Sequence, residues 1–154
     1  MGTWKRALFL AGLAALAIIP ANAAVSNAVL GGPLTGEWLL KIAATCYQFD
    51  GSPPIKEKSS DTVMMTDDSL DTPSYITMSS FTVFPRMGLP FTFDPLIGSR
   101  YGNQVHLSNC DFDISSIRLR AKIKNGSAVS FTGWGTNIDF IGIIDVKIKG
   151  KRIS

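Results

Sequence analysis

The sequence predicts an all-β protein, a small antiparallel barrel or sandwich. Two segments near the C-terminus, residues 117–124 and 138–149, alternate apolar and charged or polar side chains with a period of two, the pattern of a strand with one buried face. Clusters of Gly, Pro, Asn and Asp divide the chain into short segments, and no segment after Leu30 has a long helical period. About six to eight strands in roughly 120 residues fit such an architecture.

The N-terminus, residues 1–23, has the features of a signal peptide. Lys5 and Arg6 precede an apolar run over residues 7–19, and Ala21-Asn22-Ala23 supplies a small-residue cleavage site. The run is shorter than the roughly 20 residues that a membrane-spanning helix needs, and no later apolar run approaches that length. We therefore expect an exported protein, periplasmic or extracellular, with no transmembrane segment in the mature chain. It would consist of a flexible lead-in, residues 24–33, and a single β domain, residues 34–154.

Charge is distributed unevenly along the chain. The full sequence has 15 basic and 12 acidic side chains; loss of Lys5 and Arg6 leaves 13 and 12, a net charge of +1. So small a net charge gives no support to nucleic-acid binding. Residues 37–117 contain 5 basic and 10 acidic side chains, whereas residues 118–154 contain 8 and 2. The C-terminal third therefore predicts a basic surface.

The first strand is predicted over residues 38–46, where apolar side chains recur at every second position. A helix over residues 37–44 is the alternative, because Leu, Lys and Ala are good helix formers. Residues 50–54 break this element, and residues 59–73 predict a solvated acidic loop with a short strand at 63–66. Further strands are predicted at 75–84, at 91–93 and from Val105, with a turn at 98–104.

The strand at 117–124 is followed by Asn125-Gly126 and a strand through Val129, Phe131 and Gly133. A two-residue turn places Lys122 opposite Val129 and mixes apolar with charged positions. A three-residue loop over residues 124–126 pairs Ala121 with Val129 and Leu119 with Phe131. We therefore predict a type I turn with Gly126 in a bulge, and a last strand over residues 138–149.

The two cysteines of the mature chain, Cys46 and Cys110, predict a disulfide, because an even cysteine count in an exported chain indicates pairing. The bridge would close a loop of about 65 residues and contribute roughly 4 kcal/mol. Two buried free thiols are the alternative.

Few residues suggest catalysis. His106 is the only histidine, and no phosphate-binding loop or metal-binding motif is present, so we expect no cofactor and no metal. An enzyme would depend on His106 with Asp111 or Asp113 as its acid–base set. We expect a protein that binds and does not catalyse.

Two binding surfaces are predicted. If the sheet closes into a barrel, a small apolar ligand would lie among Trp38, Phe131 and Phe140. The alternative is an interaction or structural protein of the cell envelope, which would use a basic sheet face to bind an anionic polysaccharide, a membrane surface or an acidic partner. The same charges would also serve simply to protect strands from edge pairing. The basic face consists of Arg118, Arg120, Lys122 and Lys124.

The segment Leu34-Thr35-Gly36-Glu37-Trp38 resembles the Gly-x-Trp motif in the first strand of lipocalins and avidins, members of the calycin superfamily of β-barrels. The resemblance implies a barrel that Trp38 closes at one end, with Arg152 of the last strand packed across it, and a role in binding a small ligand. The chain lacks the C-terminal helix pattern of lipocalins and the tryptophan-rich later strands of avidins.

Overall fold

Eight antiparallel strands close into a barrel, as a computed structural model of residues 31–86, 90–109 and 114–154 shows. Those residues contain no helix, which confirms the all-β fold class. The signal peptide, residues 24–30 of the lead-in, Cys110, Asp111 and Asp113 lie outside the described residues. The strands are β1 (Gly36–Gln48), β2 (Ile55–Asp67), β3 (Ser74–Met78), β4 (Phe81–Val83), β5 (Phe91–Phe93), β6 (Leu96–Tyr101), β7 (Gln104–Asn109), β8 (Ile114–Lys124), β9 (Ser127–Ile138) and β10 (Gly142–Arg152).

The strand order around the barrel is β1-β10-β9-β8-β7-β6-β3-β2, and β2 pairs with β1 to complete the ring. Strands β4 and β5 form a separate hairpin inserted between β3 and β6. Alternate side chains of the barrel strands point inward, because successive residues of a strand face opposite sides of the sheet. The core is apolar and includes Leu40, Ile42, Val63, Leu119 and Ile148.

The helix expected as an alternative over residues 37–44 is not formed. That segment is the first half of β1, whose even-numbered residues from Trp38 to Cys46 are buried while most of their neighbours are exposed. The period-two pattern prevails over helix propensity because it places one apolar face between β2 and β10.

The hairpin between β8 and β9 corrects our prediction. Asn125 and Gly126 both have positive φ, 50° and 76°, so the turn is the two-residue kind that Asn-Gly favours. The register then shifts beyond Ile123, which pairs with Ala128, and Val129 becomes the extra residue of a bulge. Ala121 pairs with Phe131 and Leu119 with Gly133, not with Val129 and Phe131 as predicted. Apolar residues still pair with apolar residues across the two strands, but the extra residue lies inside β9 and not in the turn.

The last strand begins later than predicted. The Asp139 carboxylate accepts the backbone N–H groups of Ile141, at 2.7 Å, and of Gly142, at 3.2 Å, and this turn separates β9 from β10. Phe140 therefore lies in the turn and is 91% exposed, instead of sharing the inner face with Ile144. Only from Gly142 onward does the predicted alternation hold.

The middle of the chain contains more strand than the sequence suggested. Most of the predicted acidic loop is strand β2, which is 13 residues long, and the predicted turn at 98–104 is largely β6. Asp67, expected to be solvated, is buried beside Arg100, with 2.7 Å between Asp67 Oδ2 and Arg100 Nε. Its carboxylate also accepts the Leu34 backbone N–H and the Ser74 hydroxyl. Three residues thus hold this charge in the barrel interior.

The β4–β5 hairpin packs against the inner face of β2. Thr82 donates its backbone N–H to Asp61 at 2.8 Å, and Arg86 donates its own to Glu57 at 3.3 Å. Both carboxylates share the inward parity of Val63, whose side chain is buried. The hairpin adds stacked and buried aromatic rings, Phe81 and Phe93, to the core.

Trp38 and Arg152 close the barrel at the end where β1 starts. The Arg152 guanidinium carbon lies 4.8 Å from the centre of the Trp38 ring, and the two residues are directly paired between β1 and β10. This is the arrangement that the Gly-x-Trp resemblance implied, and the closed eight-stranded barrel is compatible with a calycin-like fold.

Candidate functional site

A row of cationic side chains crosses the outer surface of the barrel on adjacent strands. In register, Lys41 of β1 pairs with Lys149 of β10, and Ala43 pairs with Lys147. Alternation places these side chains outward, opposite the buried Ile42 and Ile148. We call the following residues the basic band: Lys41, Lys58, Arg118, Arg120, Lys147 and Lys149.

The basic band lines a broad, open groove of about 1320 Å³. Seven Lys and Arg residues are among those that line it, the six of the band and Arg86 of the β4–β5 hairpin, and no Asp or Glu is. The buried residues Ile42, Leu119 and Ile148 also contribute to its lining. Asp145, one row away on β10, accepts a hydrogen bond from the Thr136 hydroxyl at 2.9 Å. Within the part of the chain that the structure describes, the only ion pair joins Arg100 to Asp67 inside the barrel. No carboxylate of the described residues therefore lies within ion-pair distance of the cations of the groove.

Trp134 lies in the middle of the band. On its two sides it pairs with Lys147 of β10 and with Arg118 of β8. Its side chain is 55% exposed, and the Arg118 guanidinium carbon lies 5.5 Å from the centre of its ring. An exposed tryptophan among cations offers a partner both a flat apolar surface and positive charge.

The predicted basic face is present on β8, but the structure extends it. Arg118, Arg120 and Lys122 point outward, and Lys124 lies at the β8–β9 turn. Lys41 and Lys58, which were not among the residues predicted for this face, lie on the outer side of β1 and β2 by alternation. Lys41 follows the alternation predicted over residues 38–46, whereas Lys58 lies outside every predicted strand. The pairing of β1 with both β2 and β10 brings the two lysines to the same surface.

The three residues predicted to hold an apolar ligand are not all brought together. The rings of Trp38 and Phe131 pack against each other in the core, with 4.8 Å between their centres, and each is at most 1% exposed. Phe140 lies in the β9–β10 turn, at the other end of the barrel from Trp38.

His106 lies on the outer face of β7, exposed, and pairs with Arg118 of β8 and Ser99 of β6. Its predicted partners for acid–base chemistry, Asp111 and Asp113, are outside the described residues. In residues 31–86, 90–109 and 114–154, no group of three His, Cys, Asp or Glu side chains could hold a metal ion.

Cys46 is buried on the inner face of β1. Burial, with a smaller contribution from the negative charge of Asp139, raises the pKa of its thiol. Cys110, its predicted disulfide partner, is outside the described residues, so the disulfide stays a prediction.

Comparisons with known proteins identify no relative. No family model matches the chain, and neither the curated proteins nor the solved structures contain a match. In the described part of the chain no helix has the length and apolar character needed to cross a membrane. Closed barrels of this size are typical of binding proteins, and the fold alone names no ligand.

Proposed function

We propose that this protein is an exported, non-enzymatic binding module whose basic band binds an anionic partner. The observation that carries the proposal is the composition of the groove, whose lining includes seven Lys and Arg residues, six of them at outward positions of the barrel strands, and no Asp or Glu. The net charge of the mature chain is only +1, so the basic surface results from where the charges lie and not from their total.

Three carboxylates of β2 lie on the inner side of the barrel, away from the band. Asp67, Asp61 and Glu57 point inward, where they accept hydrogen bonds from Arg100 and from the backbone of the β4–β5 hairpin. The lysines of β1 and β10 point outward at the same time. These three acidic side chains therefore do not neutralise the cations of the band.

Stability of the fold does not account for this arrangement. Lys41 and Lys149 lie directly opposite each other on paired strands, and like charges in that position are destabilising. Protection of strand edges does not account for the cations of β1, β8 and β10 either, because each of these strands pairs on both sides. Lys58 differs, since its part of β2 pairs with β1 alone. An anionic partner would relieve the repulsion, and the band is built as a binding site for one.

Binding of a small apolar ligand, the other predicted function, receives less support. Trp38 and Phe131 pack against each other, and the β4–β5 hairpin contributes Phe81 and Phe93 to the same core. A ligand between those rings would have to displace side chains that are already in van der Waals contact with one another.

A polyanion titration tests the proposal. Dextran sulfate at low ionic strength should bind the mature protein, and added salt should weaken the binding, because exposed charges are screened. Exchange of Arg118 and Arg120 for Ser should lower affinity about tenfold, since each exposed charge contact contributes about 0.5–1 kcal/mol.

Two matched variants serve as controls. Arg118→Lys with Arg120→Lys keeps the charge and should keep most of the affinity. Leu70→Asp with Ile97→Asp changes the net charge as much as the double Ser variant, at exposed positions off the band, and should have the smaller effect. Equal affinity of the wild type and the double Ser variant, or equal losses in the double Ser and double Asp variants, would contradict the proposal.

A further inference from the structure

One end of the barrel exposes a cluster of large apolar side chains next to the basic band. The β1–β2 and β9–β10 turns meet there, and the Phe49 backbone N–H donates to the Ile141 carbonyl oxygen at 3.0 Å. We call the cluster the apolar rim, and its exposed fractions are 46% for Tyr47, 60% for Phe49, 42% for Ile138, 91% for Phe140 and 43% for Ile141.

The rim is held in place. Two backbone N–H groups donate to the Asp139 carboxylate, and the Asp139 N–H donates to the Gly142 carbonyl oxygen at 3.1 Å. Phe140 is therefore presented on a hydrogen-bonded turn. A large apolar surface kept exposed on an ordered turn indicates an interaction site.

The rim and the basic band belong to one continuous surface. Tyr47, Ile143 and Ile138 form an outward row across β1, β10 and β9, directly above the turns. Lys147 follows Ile143 by four residues on β10, about 13 Å along the strand. Asp145 lies between them on the outer face, so this side of the barrel changes from apolar residues at the rim, past one carboxylate, to lysines over about 13 Å.

This order of surfaces selects among anionic partners. A soluble polyanion would contact the band and leave Phe49 and Phe140 in water, and an apolar protein surface would cover the rim and leave the band without a counter-charge. A bilayer with anionic lipids matches both, because aromatic side chains lie at the boundary between headgroups and acyl chains while lysines reach the phosphates.

We infer that the anionic partner is the surface of a lipid bilayer, with the apolar rim inserted among the headgroups and the basic band against lipid phosphates. The inference rests on the proposed function, since it names the partner of the same band. It adds the rim, which contains no cation, as a second part of the contact.

Co-sedimentation with vesicles tests it. The mature protein should bind vesicles of phosphatidylcholine with about a third phosphatidylglycerol, and bind pure phosphatidylcholine vesicles much less. Phe49→Ser with Phe140→Ser should lower binding to the anionic vesicles tenfold or more, because two buried aromatic rings are lost. The same variant should bind dextran sulfate as the wild type does.

The matched control is Leu70→Ser with Ile153→Ser, which removes two exposed apolar side chains, 72% and 55% exposed, at the opposite end of the barrel. It should leave vesicle binding unchanged. A Phe140→Trp variant gives a second measurement, in which lipids brominated on the upper acyl chain should quench the added fluorescence.

The outcomes separate the two proposals. Wild-type affinity of the rim variant for anionic vesicles, or no quenching of Phe140→Trp in bound protein, would overturn the membrane inference and leave the anion-binding function standing. Binding of dextran sulfate without binding of anionic vesicles would do the same. Failure of both ligands would overturn both proposals.

Discussion

Arg152, near the end of the chain, lies over the indole ring of Trp38 near the start of the barrel, with 4.8 Å between the guanidinium carbon and the ring centre. The guanidinium donates hydrogen bonds to the backbone carbonyl oxygens of Pro33, Thr35 and Ala128. Trp38 in turn donates its indole N–H to the Leu34 carbonyl oxygen at 3.0 Å. Burial lowers the pKa of the Arg152 guanidinium. The pair joins the segment before β1, the β8–β9 end of the barrel and the C-terminus.

Replacement of Arg152 by Lys should therefore destabilise the barrel although it keeps the charge. A lysine ammonium lacks the planar fork that reaches three carbonyl groups and covers the ring, so we expect a loss of about 2 kcal/mol in the free energy of unfolding. Urea denaturation followed by intrinsic fluorescence measures it. Lys151→Arg, at the exposed neighbouring position, is the control and should change stability little. A loss below about 0.5 kcal/mol in Arg152→Lys would show that the contacts of the guanidinium are energetically unimportant.

The Asp67–Arg100 pair gives a second prediction. Asp67→Ala leaves Arg100 buried, at 2% exposure, without its counter-charge, and this should cost about 3–5 kcal/mol. Asp67→Leu with Arg100→Met removes both charges and should be more stable than Asp67→Ala. Thermal unfolding by circular dichroism compares the variants. A double variant less stable than Asp67→Ala would show that the ion pair contributes stability beyond the neutralisation of its own two buried charges.

The sequence predicts the strands better than it predicts where the acidic side chains lie. The alternation over residues 38–46 and 117–124 identifies inner and outer faces because a half-buried sheet imposes that period. Asp67 reads as a loop residue because its neighbours are polar, and its partner Arg100 is 33 residues away. Only the pairing of β3 with β2 and β6 brings Arg100 to it, and no local pattern records such a pairing.

Closure of the barrel also cannot be predicted from the local alternation of residues, because it depends on pairing between strands far apart in the sequence. The sequence predicts that the basic side chains of β8 and β10 point outward. In an open sheet such charges could protect a free edge from pairing, whereas in the closed barrel both strands are paired on each side. Pairing of β1 with both β2 and β10 adds Lys41 and Lys58 to the same surface. The exposed position of Phe140 likewise depends on the Asp139 turn, which the alternation of residues 138–149 concealed.

The disulfide between Cys46 and Cys110 is the third prediction. Cys46 lies on β1, and β7, which ends at Asn109, lies four strands away around an eight-stranded barrel, on the opposite side. A bridge therefore requires the chain after Asn109 to reach across the barrel end, because bonded cysteines have Cα atoms about 4.4–6.8 Å apart. We expect that unreduced mature protein, denatured and titrated with a thiol reagent, shows no free thiol, and that reduction lowers stability by up to roughly 4 kcal/mol. Two titratable thiols would establish the alternative of two free cysteines.

Gly150 permits the packing of Phe131 against Trp38. It pairs with Leu40 on one side and with Phe131 on the other, and a Cβ atom built on it would overlap the Phe131 ring. Gly150→Ala should therefore force the ring out of its place and cost about 1–3 kcal/mol through overpacking. Phe131→Leu removes the atoms in the way, so the double variant should be more stable than the sum of the two single losses predicts. Urea denaturation of the wild type, both single variants and the double variant measures this coupling. Additive losses would show that Gly150 is required for a reason other than the Phe131 ring.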